Sequence, residues 1–324
     1  MKIIRKLPLL CAAMLASTAA TAQEINGADT AWILTSTALV LFMTIPGLSL
    51  FYAGLVRSKN VLSVLMQCFA LTCLMSLVWF AVGYTIAFGS EGVEQGRWIG
   101  DFGNIFFANI GMDSVTGTVP ATLFAVFQMT FAIITPALIV GGFAERMRFS
   151  AMLLFSTLWL VLVYSPVCHW VWGGGWLGAM GLQDFAGGTV VHITAAVAAL
   201  VAAMMMGPRR GFGTVAMPPH NLTRAVAGAG MVWGGWLGFN EGSGVDADSS
   251  GARAMLVTHL TATAGALAWM AMECLRHGKP SMLGTVTGMV AGLGTITPAS
   301  GSVGSAAEVV IALLAGVVRN FATN

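Results

Sequence analysis

Charge is what this sequence has least of. Of its 324 residues only 9% are charged, whereas 57% are hydrophobic. A soluble domain carries about 25% charged residues. So few charges cannot cover so much apolar surface in water. A soluble enzyme, a nucleic-acid binder and a disordered chain are therefore excluded. Cysteine is also scarce: the five stand at Cys11, Cys68, Cys73, Cys168 and Cys274 with no CxxC pair. That spacing fits neither a disulfide framework nor a zinc site, and leaves them as small buried hydrophobes. A P-loop, HExxH and Gly-x-Ser-x-Gly are all missing. Asn221-Leu-Thr fits the glycosylation pattern but falls on an inner loop and is discounted. The apolar runs are continuous rather than alternating, which excludes an outer-membrane barrel and leaves a bundle of membrane helices.

Met1 to Ala22 reads as a signal peptide. Lys2, Arg5 and Lys6 precede a short apolar core, and Ala20-Thr-Ala22 is a small-x-small cleavage site. The mature N-terminus is then outside. Runs long enough to cross ~30 Å of hydrocarbon follow at Ala31–Val56, Val61–Phe88, Ala121–Phe143, Ser150–Trp172, Thr189–Met206, Ala225–Phe239, Ala254–Leu275 and Ser281–Ala299. A shorter ninth, Ser305–Val318, contains Glu308. Inner loops should hold the cations. On this map they hold Arg57, Lys59, Arg146, Arg148, Arg209, Arg210, Arg224, Arg276 and Lys279, with Arg319 after the ninth span; the outer loops hold only Arg97 and Arg253. No loop is large enough for a catalytic core, so function lies within the bundle: transport or intramembrane chemistry. Gly230, Gly234 and Gly238, and again Gly284, Gly288 and Gly292, recur every fourth residue as faces for close helix packing.

Ionisable groups at membrane depth are costly and usually face a cavity. His192 stands eight residues beyond Asp184, ~12 Å deeper at 1.5 Å per residue. It is either a proton-handling imidazole or a core histidine bonded to a neighbouring carbonyl. Asp184 is either an ordinary helix cap or the organiser of a cation site. His169 and His259 lie near outer ends, and Glu273 near an inner one. Phe127, Phe131, Trp170, Trp172, Trp233, Trp236 and Phe239 form either an interfacial belt or a cage for a small cation, whose charge ring faces attract. The Ser243 hydroxyl could accept a hydrogen bond from an ammonium-type ion.

Several stretches together resemble the ammonium transporter family, which includes the Mep and Rhesus proteins. Asp184-Phe-Ala-Gly-Gly-Thr-Val-Val-His192-Ile-Thr-Ala-Ala, running on to Gly207-Pro-Arg209, is similar to the family signature. So are Thr44-Ile-Pro-Gly with Phe51-Tyr52, Ala144-Glu-Arg-Met-Arg-Phe-Ser150, Val171-Trp-Gly-Gly-Gly175, Pro219-His-Asn-Leu222, Trp236-Leu-Gly-Phe-Asn240 and Thr297-Pro-Ala. The resemblance implies an all-α polytopic bundle in a bacterial inner membrane, built as two five-helix halves of inverted topology plus a last helix. It also implies a homotrimer with one pore per subunit and no cofactor. Trp172, Ser243 and Phe131 would form the outer ammonium site, supported by Asp184. Phe131 and Phe239 would be the gate, with Phe127 and Trp236 beside the path. His192 would be the first pore histidine, and Thr297 would lie near the pore. Against that pattern the second half is incomplete, at about nine spans. The second pore histidine has no equivalent, and the tail that meets P-II-type signalling proteins is absent. The expected function is ammonium transport by recruitment at an outer aromatic site, deprotonation and passage through an apolar histidine-containing pore, not an enzymatic one. The alternatives are a non-conducting ammonium sensor and an inactive truncated transporter.

Overall fold

The computed structural model describes residues 24–89 and 96–323; the leader expected at 1–22 lies outside them. Nine long helices are present among the described residues. They are α1 (Gly27–Leu55), α2 (Ser58–Phe88), α3 (Ala121–Phe143), α4 (149–171), α5 (Gly188–Met206), α6 (Leu222–Gly242), α7 (Ser249–His277), α8 (Met282–Ala299) and α9 (Ser305–Thr323). The order matches the nine runs read from hydropathy. The ninth is longer than expected, so Arg319 lies within α9 rather than on a loop after it. Six glycines dilute α6, yet it has the length to cross a bilayer. A two-stranded hairpin, β1 (Val115–Thr116) with β2 (Val119–Pro120), adds a small piece of sheet in the outer loop that an all-helical reading missed.

The helices form an inside-out assembly. Leu62, Met66, Phe69 and Leu77 of α2, and Leu154, Leu158 and Leu162 of α4, all point outward. Hydrocarbon satisfies such faces, whereas water would not. Cys73 and Cys274 are exposed too, against the buried setting expected of them; Cys68 and Cys168 are buried.

α1 and α6, the first helices of the two halves, pack on one another. They are five helices apart and so run in opposite directions. At their crossing a Cβ on Gly228 would lie 2.3 Å from the Phe51 nitrogen, and one on Gly54 2.5 Å from that of Ala225. α7 packs on α8 in the same way: a Cβ on Gly292 would meet the Thr261 carbonyl at 2.1 Å, and one on Gly265 the Gly288 carbonyl at 2.4 Å. The expected packing face of α8 is therefore real. That of α6 is corrected. Gly238 packs on Leu39, but Gly230 and Gly234 face open space, and the close approaches are made by Gly228, Gly235 and Gly242. Helical geometry explains the difference, because a four-residue repeat drifts round the helix while the contact with α1 stays on one side.

At the arginine-rich end, called inner here, Arg57 joins the α1–α2 turn to the α3–α4 turn. Its Nε donates to Glu145 Oε2 at 2.8 Å, its backbone N–H to Oε1 at 3.2 Å, and Nη2 contacts Oε2 as well. Burial pushes the Glu145 carboxyl up, but the bonds from Arg57 outweigh it and hold the group below its ordinary value.

Two outcomes follow. Gly292→Leu forces α7 and α8 apart and should cost about 1–3 kcal/mol in thermal unfolding of the detergent-solubilised protein, whereas Gly234→Ala should leave the midpoint unchanged or raise it. Because the Glu145 pKa is depressed in the fold, its contribution is full above the unfolded carboxylate value of about 4.3 and is lost as pH falls through the lower folded value. The melting difference between wild type and Glu145→Gln should therefore be full at pH 6–7 and shrink at pH values roughly below 4. A pH-independent difference would mean that the carboxylate charge does not act.

Candidate functional site

A buried polar anchor stands at the start of α5. Asp184 precedes that helix, and its carboxylate accepts four backbone N–H bonds: Gly187 at 3.0 Å and Gly188 at 2.6 Å on one oxygen, Thr189 at 2.8 Å and Val190 at 3.0 Å on the other. These are the donors that a helix start leaves unpaired. Gly187 takes the left-handed conformation that the turn requires (φ 101°), and a Cβ there would strike the Val191 side chain and approach Trp172. The cap reading is thus correct. The carbonyl of Asp184 also accepts the Trp172 indole N–H at 2.7 Å.

Trp172 and Ser243 line one outer cavity of about 220 Å3, together with Phe88, Phe124, Gln128, Asp184, Phe185 and Val245. Ser243 spends its proton on the Phe239 carbonyl at 2.8 Å, so its oxygen faces the cavity as an acceptor. Gln128 Oε1 is buried with no partner. Sequence reasoning passed over this residue, although an amide inside an otherwise apolar run is the signal that could have found it.

Below this cavity the chain closes on itself. The rings of Phe131 and Phe239 lie 4.3 Å apart at 30°, both fully buried. Phe127 meets Phe131 edge-on at 5.1 Å, and Trp172 does so at 5.8 Å. Neither phenylalanine of the pair is among the residues lining these two cavities, and Phe131 reaches the outer one through its contact with Trp172.

A second cavity of about 320 Å3 lies on the inner side, lined among others by Tyr52, Ile134, His192, Val232 and Trp236. His192 sits in the wide π-turn Gly188–Ile193 that opens α5, a distortion frequent at functional positions. Its ring stacks on Trp236 at 5.2 Å and lies 6.0 Å from Phe239. Its Nε2 is buried with no partner. The bonded-core alternative for this histidine therefore has no carbonyl at that nitrogen. Thr297 stands one step behind the wall: it accepts the Trp236 indole N–H at 2.9 Å and passes its own proton to the Leu293 carbonyl. Arg319 of α9 lines the same inner cavity, which the sequence, placing it on a loop, did not anticipate.

The remaining candidates lie elsewhere. Both ring nitrogens of His169 meet carbonyls, of Ala87 at 3.0 Å and Gly96 at 2.6 Å. His259 is exposed and stacks on Trp233. Glu273 accepts from Trp269, Ser281 N–H and Ser281 Oγ, and so fixes the start of α8. Trp170 donates to the Trp98 carbonyl in an outer tryptophan cluster.

A model described as Ammonium Transporter Family matches residues 31–324. The chain belongs to the ammonium transporter family. It is 47% identical over 294 residues to an ammonium transporter of Bacillus subtilis, covering 90% of this chain and 70% of that one. The crystal structure of Candida albicans Mep2 superposes with a TM-score of 0.85 at 36% identity, covering 92% of this chain and 66% of that one. A solved structure described as a sensor Amt protein superposes at 0.83 with 28% identity, over 91% of this chain and 74% of that one. The chain thus spans about two thirds of the length of Mep2. Within this family fold, the Asp184 cap ties the outer cavity to the helix that carries His192.

Asp184→Ala would leave four N–H groups without partners, each costing about 1–3 kcal/mol. The variant should melt far below wild type or fail to assemble. Asp184→Asn, which keeps the shape but can accept on one oxygen only, should fall between the two in the same thermal unfolding measurement.

Proposed function

We propose that this chain carries ammonium nitrogen across the membrane, taking up ammonium from the outer side and passing ammonia inward. The observation that carries the reading is the sequence of spaces: an outer cavity walled by Trp172 and Ser243, a closed pair of phenylalanines, then an inner cavity where His192 presents an unpartnered Nε2. In the outer cavity, ring faces attract a small cation, and the Ser243 and Gln128 oxygens accept from its N–H bonds. Potassium could use the rings and the oxygens, but it has no proton to lose on entering an apolar path. Moving inward past Phe131 and Phe239 removes the remaining water. Burial lowers the pKa of an ammonium-type group by up to about 3–5, so the ion hands its proton to water on the outer side, leaving hydronium there, and continues as ammonia. His192 stands immediately inside the gate with a nitrogen able to receive or donate a hydrogen bond. Trp236, fixed by Thr297, holds that imidazole flat against the path.

The same proposal includes assembly as a homotrimer in the cytoplasmic membrane after signal cleavage, with nitrogen uptake as the physiological outcome. A P-II-type partner is part of the family pattern, but no residue is assigned to it here. A second reading, a sensor that binds ammonium without conducting it, is favoured by the likeness to the sensor Amt protein.

Labelled methylammonium uptake in cells lacking other carriers separates the two. The transport reading expects uptake by wild type and a loss of at least about tenfold in His192→Ala, the 1.4 kcal/mol lost with one hydrogen bond. Trp172→Leu and Ser243→Ala should each raise the half-saturating concentration instead. Saturable binding without uptake would favour the sensor, and unchanged uptake in His192→Ala would remove that residue from the mechanism.

A further inference from the structure

The turn that follows α6 holds a side chain in a conformation that its shape disfavours. Among the described residues, four that are not glycine take a positive φ: Phe106, Phe107, Glu145 and Val245. Only Val245 is β-branched, and its φ is 66°. In the left-handed region a Cβ crowds the carbonyl that follows it, and two methyl groups on that carbon leave the side chain few ways to turn. Glycine would take the same angle freely. The glycine of this turn, Gly244, stands one place too early and does not itself adopt a positive φ.

Bonds on both flanks keep Val245 there. Its own N–H donates to the Gly242 carbonyl at 3.0 Å, and the Gly244 N–H to that of Glu241 at 3.2 Å. On the far side Asp246 Oδ1 accepts from the Thr118 hydroxyl at 3.3 Å, and the Ala247 N–H donates to Asp29 Oδ1 at 2.8 Å. The turn is thus pinned to α6, to the bend of the β1–β2 hairpin and to the start of α1. Strain of this kind persists only where the surroundings impose it, and it gathers at ligand sites. Val245 lies at such a place: two residues after Ser243, it lines the outer cavity of about 220 Å3. It is half-buried and packs on the hydrophobic core.

The walls of that cavity divide by chemistry. Trp172 brings a ring face, and Ser243 and Gln128 bring acceptor oxygens, whereas Val245, Phe88 and Phe124 present only carbon. Each methyl group added to an ammonium ion removes one N–H donor and needs room against the carbon side. A stiff side chain on a pinned turn does not swing aside to give that room. We propose that Val245 is a specificity-determining residue of the outer site, whose side chain limits the guest to ammonium or a singly methylated ion and turns away tetramethylammonium. The inference rests on the reading of this cavity as a cation site.

Thermal unfolding of the full chain in detergent tests this without any need for transport, since a ligand that binds the folded state raises the midpoint. The protein is titrated with ammonium, methylammonium or tetramethylammonium chloride, against sodium chloride at equal ionic strength. Wild type should bind the first two at least about tenfold more tightly than the third. In Val245→Gly, which frees the turn and removes the wall, the ratio of half-saturating concentrations of tetramethylammonium to ammonium should fall at least about tenfold, the discrimination that a methyl-sized change in a pocket supplies. Val245→Leu should raise the ratio of methylammonium to ammonium instead, and keeps the test decisive if Val245→Gly does not fold. A side chain that only packs on the core would shift the midpoint in both variants and leave these ratios alone. Unchanged ratios, or tight tetramethylammonium binding by wild type, overturn the proposal while the cation site stands. No response of wild type to ammonium overturns the cation-site reading itself, and this proposal with it.

Discussion

Four backbone N–H groups at the start of α5 face the interior of a membrane protein, where water cannot serve them. The Asp184 carboxylate takes all four, and the carbonyl of the same residue holds the Trp172 indole. One residue therefore fixes two things: the orientation of an aromatic wall on the outer side, and the depth and rotation of the helix that carries His192. A carboxylate with both oxygens committed in this way has little left for a ligand of its own. Asp184 also lines the outer cavity beside Trp172 and Ser243. It is thus a positioning residue, and the electrostatic effect on a cation belongs to the proposed function.

The gate has a similar economy. Phe131 comes from α3 and Phe239 from α6, helices of opposite halves. Their contact at 4.3 Å requires that α6 lie close to the first half, which the glycine crossing with α1 provides. Gly242 is part of the same arrangement: a Cβ there would meet both Ser36 and the Phe127 ring. The small residues of α6 therefore do more than let backbones approach. They also set how far Phe239 reaches toward Phe131.

Much of this was legible in the residues. Continuous apolar runs and segregated arginines located all nine helices, because crossing hydrocarbon imposes a length and the inner side collects cations. The contacts of His192, Trp172 and Ser243 were foreshadowed by polar or aromatic residues in costly places. What stayed illegible has physical causes. The four-residue glycine pattern on α6 looked like a packing face, but Gly230 and Gly234 point into open space, since sequence spacing does not say which side a neighbour occupies. Gln128 escaped notice because an uncharged amide carries a weaker signal than a histidine or carboxylate. Arg319 read as a loop cation because the apolar run stopped at Val318, whereas the backbone continues helical to Thr323. Charge alone does not end a helix. Thr297 was expected near the pore for its resemblance, and its effect is indirect, through Trp236.

The inner cavity draws these strands together. His192, stacked on Trp236, has one polar nitrogen with nothing to bond. Leaving such a group unpaired at depth costs about 1–3 kcal/mol. A fold that merely needed to pack α5 could have placed an apolar side chain here at no such cost. The surrounding order makes the expense more pointed, since Thr297 and Leu293 are enlisted to hold Trp236, and Trp236 in turn holds the ring. In the proposed function, a guest in the inner cavity supplies the bond that this imidazole lacks within the protein. Ammonia can do so with either a lone pair or an N–H, depending on which way the imidazole proton points. A bare metal cation would instead have to reach that nitrogen past the Phe131–Phe239 pair without its water. In the proposed function, the unpaired nitrogen and the closed phenylalanines therefore favour together a small molecule that can shed its charge and still hydrogen-bond, which neither feature would do alone.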